Sequence, residues 1–345
     1  MESGPQRISD PGAAAEERRE ELSLRPTRLE DFVGQESLKA NLRVFMEAAR
    51  RRGEALDHVL LYGPPGLGKT TLAGILASEL GVPFKASSSP IYQNAAELVG
   101  LLTQLEDRQV FFLDEIHRLG RVIEEHLYSA MEDYRCDLIV DRGPNARQYS
   151  LSLAPFTLVG ATTRAGMISA PLRSRFGVVA RLEFYGPAEL ASIVRRSADL
   201  LEVEADEDGL AEIAGRSRGT PRIANRLLRR MRDFAQVEGA GRITRDIAEH
   251  GLQRLGVDRS GLDEMDRRIL EVLIHQHGGG PVGASTLALA VAEEVETLED
   301  IYEPFLIQQG FLARTRRGRC AARRAWEHLG MSPPAGEAGL FGEEA

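Results

Sequence analysis

Short apolar runs alternate with longer segments of helical periodicity through the first 185 residues of the chain. Five of these runs predict β-strands, with the bounds Val59–Tyr62, Phe84–Ser87, Val110–Asp114, Thr157–Ala161 and Val178–Phe184. Strands that alternate with helices favour an α/β fold built on a parallel, doubly wound sheet. Because such sheets bind ligands at the carboxyl ends of their strands, we expect a ligand site at that edge.

The strand signals stop near Tyr185, and the periodicity of the remaining chain is helical. Four helical segments between residues 188 and about 255 predict a small helical domain. Three more, from about Gly261, lead to two short extended pieces around an Arg-Gly turn, a pattern typical of a winged helix. The predicted divisions are a disordered arm (1–22), a large α/β domain (23–185), the small helical domain (186–256), a winged-helix head (257–330) and a disordered tail (331–345).

Composition changes this picture little. A net charge of −9 over 345 residues argues against a protein coated all over with nucleic acid, but it allows a local basic patch. Cys136 and Cys320, the two cysteines, predict neither a disulfide framework nor a metal cluster. The apolar runs are shorter than a membrane span and the amino terminus lacks a signal-peptide core, so we expect a cytoplasmic protein without a membrane partner.

The stretch Gly63–Thr71, GPPGLGKTT, fits the pattern G-x-x-x-x-G-K-[ST] between a predicted strand and a predicted helix. Its glycines allow successive backbone N–H groups to surround an anion, and the positive end of the following helix faces the same point. Lys69 can then reach the β- and γ-phosphates of a nucleotide, and the Thr70 hydroxyl can bind Mg²⁺. An ordinary glycine-rich turn would not require this lysine and this hydroxyl.

The predicted strand Val110–Asp114 ends in two adjacent carboxylates, Asp114 and Glu115. Alone, such a pair is usually a solvated loop start, but beside a phosphate-binding loop it suits nucleotide hydrolysis. We assign Asp114 to Mg²⁺, through water, and Glu115 to the attacking water. Thr163, at the end of another apolar strand, could contact the γ-phosphate or the same water.

Two arginines have positions that suit a phosphate bound elsewhere. Arg175, in PLRSRFG, is either solvated or presented to such a phosphate, including one on a neighbouring subunit. Thr220 is expected to cap a helix that opens with Pro221 and carries Arg222 at its positive end. The helix dipole repels a cation at this end, and a nearby anion would offset the repulsion. The helix also contains arginines that we expect on a solvated or intersubunit face, namely Arg226, Arg229, Arg230 and Arg232.

Alternating apolar and polar residues on both sides of a Gly-Pro-Asn turn predict a β-hairpin from Cys136 to Leu153. Its apolar residues, such as Leu138 and Val140, could bind a protein partner or substrate. A purely structural flap is the alternative.

A second hairpin, in the predicted winged helix, is rich in arginine, with six arginines between Arg314 and Arg324. Positive charge on such a hairpin suits the phosphate backbone of a nucleic acid. The nearby aromatic residues, Phe311 and Trp326, are too few to stack bases, so contact with a duplex backbone is favoured over sequence reading. A charged surface hairpin without a ligand remains the alternative.

Taken in order, these stretches resemble the RuvB family of hexameric AAA+ motors, P-loop NTPases that drive branch migration of Holliday junctions in bacteria. The resemblance spans about Leu22 to Gly330 and includes LEDFVGQ, LLYGPPGLGKTTLA, FLDEIHRL, LYSAMEDY, PFTLVGATTRAG, APLRSRFG, GTPRIANRLLRR, YEPFLIQQGFL and RTRRGR. It implies an AAA+ ATPase domain, a helical lid and a winged-helix head that bind ATP and Mg²⁺.

The resemblance also implies roles for individual residues. Contacts with the nucleotide are implied for Leu24, Arg25, Gly66, Lys69, Thr70, Thr71, Glu132, Asp133, Tyr134, Tyr185 and Arg222. Thr163 matches the family's sensor threonine, and Arg175 matches the arginine finger that acts on the ATP of the adjacent subunit. Arg314 and Arg319 fall at DNA-contact positions. The implied partners are duplex DNA, Holliday junctions, further copies of the chain in a hexamer, a RuvA-like junction-binding protein at the 136–153 hairpin and a RuvC-like resolvase.

The sequence therefore predicts an ATP-driven DNA motor, with two alternatives. One is an AAA+ switch, such as a clamp loader, that assembles another protein on DNA without translocating. The other is a DNA-binding module with a degenerate nucleotide site. The terminal wing and the lack of a zinc-binding cysteine cluster favour the motor over the switch, and the intact Lys69, Asp114, Glu115 and Arg175 argue against a degenerate site.

Overall fold

The computed structural model describes residues 22–140 and 147–333, and the chain divides after Tyr185 into two compact units. The predicted arm and tail fall almost entirely outside the described residues, as does the turn of the 136–153 hairpin. The further division of the second unit near residue 256, into a helical lid and a head, stays a prediction.

Five parallel strands form the central sheet of the first unit, in the order β2-β3-β6-β1-β7. The strands of the first unit, inside and outside this sheet, are β1 (Val59–Tyr62), β2 (Phe84–Ser88), β3 (Val110–Asp114), β4 (Arg135–Val140), β5 (Arg147–Ser152), β6 (Thr157–Thr162) and β7 (Val178–Arg181). The predicted parallel sheet is confirmed. The last strand ends before Phe184, because the backbone of Glu183 is hydrogen bonded by the side chain of Gln35 instead of by a strand.

The two strands outside this sheet, β4 and β5, pair with each other in antiparallel fashion. Cys136 lies opposite Leu151, and Val140 lies opposite Arg147. The predicted hairpin is therefore confirmed over the residues that the structure describes.

The helices of the first unit are α1 (Glu36–Arg52), α2 (Lys69–Leu80), α3 (Ala95–Leu102), α4 (Arg121–Glu132) and α5 (Ala170–Arg173). Apolar side chains from α3 and α4, such as Leu98 and Leu127, share a core with Phe111 of β3 and Leu158 of β6. All four are fully buried, and burying a side chain of this size contributes about 1.5–3 kcal/mol. This core fixes the strands whose ends carry the predicted hydrolysis residues.

The second unit begins with the four predicted helices, α6 (Pro187–Leu200), α7 (Glu207–Gly215), α8 (Pro221–Glu238) and α9 (Arg245–Arg254), with a short parallel pair, β8 (Glu204–Ala205) and β9 (Arg242–Ile243). Two expectations for α8 are wrong. Thr220 precedes the helix without capping it through its side chain, because its hydroxyl donates to the Ser217 carbonyl. Arg229 is buried and so does not belong to a solvated face.

The remainder of the second unit is a winged helix. It comprises α10 (Glu264–Glu271), α11 (Ala284–Val291), α12 (Val295–Thr297), α13 (Glu303–Gln308), β10 (Leu312–Thr315), β11 (Gly318–Ala321) and α14 (Arg323–His328), with π-helical turns after α10 and α12. The antiparallel hairpin β10-β11 is tied to Val282 by a bridge at Arg319. Gly318 permits this approach, because its φ is 142° and a Cβ there would lie 2.3 Å from the Val282 carbonyl oxygen.

None of the helices in the described ranges is apolar over a length sufficient to cross a bilayer.

Candidate nucleotide site and nucleic-acid interface

Three neighbouring strands bring the predicted hydrolysis residues to one edge of the sheet. Strand β6 lies between β1 and β3, and its Gly160 is level with Leu60 of β1 and Leu113 of β3. Because the strands are parallel, their carboxyl ends emerge side by side. The phosphate-binding loop follows β1, the acidic pair ends β3, and Thr163 follows β6. The structure thus brings these three predicted elements together.

The phosphate-binding loop depends on its glycines. Gly63, Gly66 and Gly68 have φ values of 144°, 82° and 95°, which side chains other than glycine rarely adopt. At Gly63 a Cβ would lie 2.5 Å from the carbonyl oxygen of Leu182, just after β7. The loop therefore packs closely against the residues that follow β7. Because its turns are made by glycines, no side chain covers the backbone there.

Lys69 is the first residue of α2, and its side chain is buried over the loop. Its Nζ donates to the carbonyls of Gly63 and Pro64, each at 2.8 Å. The first turn of α2 contains no acidic residue, so the positive end of the helix and the lysine charge add at one point. This arrangement suits an anion such as a phosphate.

Aromatic side chains support the loop from behind. The hydroxyl of Tyr185 donates to the Leu67 carbonyl at 3.1 Å, and a Cβ on Gly68 would lie 3.1 Å from the Phe32 ring. Phe32 is held in turn by Lys39, whose Nζ donates to its carbonyl at 2.6 Å. Tyr185 therefore lies against the phosphate loop, on the backbone side.

The acidic pair lies at a sharp turn. Asp114 accepts a hydrogen bond from the backbone N–H of Glu115 at 2.9 Å, and its own carbonyl accepts one from the Ser89 hydroxyl at 3.0 Å. Glu115 has a left-handed backbone with φ 49°, a conformation that costs about 1–3 kcal/mol for a residue of this type. Its carboxylate is 40% exposed and lies 3.2 Å from Arg118. A water molecule can therefore reach this carboxylate.

A hydrogen bond joins the loop after β3 to the loop after β6. The Thr162 hydroxyl lies 2.9 Å from His117 Nδ1 and accepts from the backbone N–H of Arg164 at 2.9 Å. Thr163, the predicted sensor, lies between Thr162 and Arg164 in the chain. A hydrogen bond therefore links the loop that follows Glu115 to the loop that holds Thr163.

Arg175 follows α5, and contacts within the first unit hold its partly exposed side chain. Its Nη1 donates to the Pro171 carbonyl at 2.7 Å, and its Nη2 donates to the Glu132 carboxylate at 3.0 Å. The guanidinium carbon stacks over the ring of Tyr128, 4.4 Å from the centroid. The Tyr128 hydroxyl donates to Glu124 at 2.7 Å, which fixes the ring. The side chain is 19% exposed, so the guanidinium is presented in a defined direction.

The other residues that the resemblance assigns to the nucleotide are spread over both units. Leu24 is buried, and Asp133 pairs with Arg135 at 3.3 Å. Tyr134 packs edge-on against the ring of Phe156, where burial raises the pKa of its hydroxyl. Arg222 is the second residue of α8, in the other unit, so its relation to the phosphate loop stays a prediction.

The donor set for Mg²⁺ is small. Within the described ranges, no group of three or more His, Cys, Asp or Glu side chains is arranged to hold a metal ion. Thr70 lies in the first turn of α2, and Asp114 is the last residue of β3, at the same carboxyl edge of the sheet. Such a pair fits Mg²⁺, which keeps several waters and takes its other ligands from phosphates.

The two predicted DNA-contact residues of the wing differ in exposure. Arg314 and Arg319 are paired across the β10-β11 hairpin, but the Arg314 side chain is 57% exposed whereas that of Arg319 is 8% exposed. Arg319 donates from Nε to Glu303 at 2.6 Å and from Nη2 to Glu299 at 2.6 Å. The exposed arginines of the hairpin and of the helix after it are Arg314, Arg316, Arg317, Arg323 and Arg324. The wing thus exposes several arginines, whereas its buried Arg319 is held by ion pairs with Glu299 and Glu303.

Family models match nearly all of the described chain. They represent the Holliday junction DNA helicase RuvB P-loop domain (residues 24–182), the RuvB AAA lid domain (185–258) and the RuvB C-terminal winged-helix domain (259–330). The chain belongs to the RuvB family. It is 58% identical over 321 residues to the Holliday junction branch migration complex subunit RuvB of Koribacter versatilis, across 93% of this chain and 89% of that protein. It is 57% identical over 324 residues to the subunit of the same name from Salinibacter ruber, across 94% of each.

A solved structure from the RuvB family agrees with the fold. The RuvB Holliday junction branch migration motor of Thermotoga maritima superposes with a TM-score of 0.83 at 48% identity, covering 90% of this chain and 100% of that one. A mutant of the same protein gives a TM-score of 0.84. The predicted AAA+ architecture with a lid and a winged helix is confirmed.

Several residues that shape this RuvB-family site were not singled out from the sequence. Tyr128 stands four residues before Glu132 on α4, so helical spacing could have placed both near one point. His117 is two residues after Glu115, but its bond to Thr162 spans 45 residues and gives no local signal. Cys136 is buried, which raises the pKa of its thiol to about 11 and makes it unreactive.

His58 lies behind the site and connects three of its elements. It precedes β1, its Nε2 lies 3.0 Å from the Met131 carbonyl of α4, and its Nδ1 accepts from the Leu158 N–H of β6 at 2.8 Å. The ring is therefore neutral with its proton on Nε2. Burial lowers the pKa of His58 below its ordinary value of 6.5, although the bond to Met131 opposes the shift.

We therefore expect a pH-dependent stability. Because the unfolded chain binds a proton more readily than folded His58 does, the contribution is complete above about pH 6.5 and is lost as the pH falls toward the lowered pKa. His58→Gln, which keeps a donor and an acceptor but does not titrate, should lose less stability than the wild type between pH 7.5 and 5.5. Urea unfolding, monitored by circular dichroism, measures the free energy of unfolding of each protein at each pH. Equal losses in the two proteins would contradict this role of His58.

Proposed function

We propose that the protein is an ATP-dependent DNA motor that drives branch migration of Holliday junctions. The observation that carries the proposal is that the phosphate loop, the acidic pair and Thr163 come together at the ends of three adjacent strands, in a chain whose second unit has a basic wing. Membership of the RuvB family supplies the substrate, because the relatives named above are subunits of a Holliday junction branch migration complex.

Hydrolysis would use the residues of the phosphate edge in separate roles. Lys69, already held over the loop, would exchange its carbonyl partners for the β- and γ-phosphates and offset the charge that develops on them. Glu115 would align the attacking water, and Thr163 would contact the γ-phosphate or that water. Thr70 and Asp114 would hold Mg²⁺, which when bound neutralises charge on the β- and γ-phosphates.

The remaining nucleotide contacts would come from the loop and its surroundings. The proposed set is Leu24, Arg25, Gly66, Thr71, Glu132, Asp133, Tyr134, Tyr185 and Arg222. Tyr185 would act close to the phosphate loop, because its hydroxyl donates a hydrogen bond to the Leu67 carbonyl of that loop. Arg222 would bring the positive end of α8 toward the phosphates when the lid closes.

Arg175 would act as an arginine finger on the ATP of the adjacent subunit. The Tyr128 ring and the Glu132 carboxylate hold its guanidinium in one direction, so little side-chain entropy is lost when a phosphate arrives. Such fingers raise the rate about 10³- to 10⁵-fold. Each subunit would then control the turnover of its neighbour, and this favours a homohexameric ring over independent subunits.

DNA would bind at the wing, through Arg314 and Arg319 and with the neighbouring exposed arginines in support. Arg319 uses Nε and Nη2 for Glu303 and Glu299, so its contribution to a phosphate contact is limited to Nη1. Its second effect is to hold β11 on α13 and so to aim Arg314. The contacts are to the backbone, which suits a motor that moves over any sequence.

The hairpin over residues 136–153 would bind a RuvA-like junction-binding protein. It extends from the end of α4 as an antiparallel pair that is not part of the central sheet. A RuvC-like resolvase would act in a larger complex with the same junction.

The first test measures ATP turnover and arm separation of a four-way DNA junction by the purified protein with a RuvA-like partner. We expect turnover that rises with DNA, and separated arms as the product. Glu115→Gln should bind ATP with wild-type affinity and separate no arms, because only the alignment of water is lost. Turnover without arm separation would support an assembly switch instead, and hydrolysis by Glu115→Gln would remove that residue from its role.

The second test asks whether Arg175 acts between subunits. Arg175→Ala and Glu115→Gln should each lower turnover by about 10³-fold or more when assayed alone. Mixed, an Arg175→Ala subunit can receive a finger from a Glu115→Gln neighbour, so turnover should exceed the sum of the two parts. Arg121→Ala, on the exposed surface of α4, serves as the control with unchanged turnover. A mixture no faster than its components would contradict a finger supplied by the neighbour.

The third test concerns the wing. Arg314→Ala should weaken binding to duplex DNA of every sequence and reduce the slope of log affinity against log salt concentration by about 1, because one phosphate contact is lost. Arg51→Ala removes an arginine of α1 that is also exposed and should leave the slope unchanged. Fluorescence anisotropy at several salt concentrations measures both. An unchanged slope for Arg314→Ala would place the DNA surface elsewhere.

A further inference from the structure

Arg218 is a lid residue whose guanidinium is buried among residues of the head. It lies between α7 and α8, and its side chain is 4% exposed. Its Nη1 lies 2.9 Å from Asp266 Oδ2 and 3.2 Å from Asp263 Oδ2, and its Nη2 donates to Asp266 Oδ1 at 3.1 Å. Asp266 is completely buried at the start of α10. One arginine thus pairs with two acidic side chains of the winged helix, and its single positive charge balances only one carboxylate. Burial raises the pKa of the second acid, Asp266, to about 8.

The guanidinium of Arg218 also stacks on an aromatic ring. The guanidinium carbon of Arg218 lies 4.6 Å from the centroid of the Phe305 ring on α13. The two carboxylates are fixed by each other's backbone, because Asp263 caps α10 through the N–H of Asp266 and Asp266 accepts from the N–H of Asp263. Three elements of the chain therefore meet at this one side chain.

The backbone at Arg218 indicates that the side chain matters. Its φ is 55°, in the left-handed region that favours glycine, and Gly219 follows with φ 69°. An arginine in this conformation carries strain that a glycine would avoid. The side-chain contacts with Asp263 and Asp266 offset that strain.

Further bonds close the joint around Arg218. Arg216 donates to the Val257 carbonyl at 3.3 Å, and Arg267 donates to the Gly256 carbonyl at 2.9 Å. A Cβ on Gly261 would lie 3.1 Å from the Arg216 carbonyl oxygen, so the chain that enters the head is pressed onto the lid. The connection is a packed contact and not a free linker.

Arg218 stands four residues before Arg222, which the proposed function assigns to ATP. Between them lie only Gly219, Thr220 and Pro221, and the last of these opens α8. Because only three residues separate Arg218 from Arg222, a movement of the start of α8 should also move Arg218. From Arg218 it reaches α10 and α13, and through Glu303 of α13 it reaches Arg319 of the wing.

We propose that Arg218 is a positioning residue that couples the nucleotide-facing end of α8 to the DNA-binding wing, so that lid and head move as one body. The proposal rests on the proposed function for the meaning of the movement, but the rigid joint itself is independent of it. The physical reason is that separating the lid from the head would break the ion pairs of Arg218 with Asp263 and Asp266 and its stacking on the Phe305 ring. A motor built this way transmits a rotation of the lid to DNA without loss at the joint.

The first experiment measures the joint directly. Spin labels on Leu200→Cys of α6 and Leu289→Cys of α11, both exposed positions, report one lid-to-head distance in a Cys320→Ser background. We expect a single narrow distribution that is the same with ADP and with ATP bound to the Glu115→Gln form. A distance that changes with the nucleotide would overturn the proposal.

The same labels are then placed in Arg218→Ala/Asp266→Asn. The second substitution avoids leaving a buried unpaired carboxylate, and fluorescence of Trp326, the single tryptophan of the sequence, reports whether the head remains folded. The distance distribution should broaden while the fluorescence is retained. A distribution as narrow as that of the wild type would show that Arg218 does not hold the joint. Arg195→Ala, which breaks an ion pair with Glu207 inside the lid, is the control and should keep the distribution narrow.

The second experiment measures junction arms separated per ATP hydrolysed. For Arg218→Ala/Asp266→Asn we expect ATP turnover and DNA affinity within about twofold of the wild type. The number of arms separated per ATP should fall by about tenfold, because hydrolysis no longer moves the wing. An unchanged ratio would overturn the coupling role. If the wild type separates no arms at all, the proposed function fails, and the label distances still test the joint.

Discussion

The position of β6 between β1 and β3 is the constraint on which the nucleotide site depends. Because all three strands are parallel and in register, the phosphate loop, the acidic pair and Thr163 emerge at one edge without any long side chain having to reach across the sheet. The hydrogen bond from Thr162 to His117 then fixes two of these loops to each other, and Tyr185 and Phe32 hold the third. The geometry for phosphate chemistry thus follows from the strand order and from a few close glycine contacts.

Arginines occupy three different environments in this chain, which differ in burial. Arg218 and Arg319 are buried in ion pairs with carboxylates of the second unit. Arg175 is partly exposed in a nest of one acid and one ring, which suits a group that must meet a phosphate in a fixed direction. Arg314, Arg316 and Arg317 are exposed on the wing and available to a polyanion. Positive charge is therefore concentrated at a few places in the chain, although the net charge is negative.

Sequence reasoning recovered what local patterns encode. The strands, the phosphate loop and the hairpins have periodicity and turn residues within a few positions of one another, so their bounds were predictable to within one to three residues. The burial of Arg229 and Arg319 and the hydroxyl bond of Thr220 were not, because each depends on partners from other elements. The contact of Arg218 with Asp266 spans 48 residues and joins two predicted domains, so no window along the chain reveals it. Arg222 shows the same limit for the site itself, since it lies in a different compact unit from the phosphate loop and its role stays a prediction.

The central claim is that the hydrolytic site is divided between two copies of the chain. The most direct measurement is ATP turnover per subunit of the wild-type protein as a function of protein concentration, with ATP binding and sedimentation followed in parallel. The account predicts that ATP binding per subunit stays constant, whereas turnover per subunit rises by about 10³-fold or more as the subunits associate. Turnover per subunit that is already at its full value where the protein sediments as a monomer would contradict it.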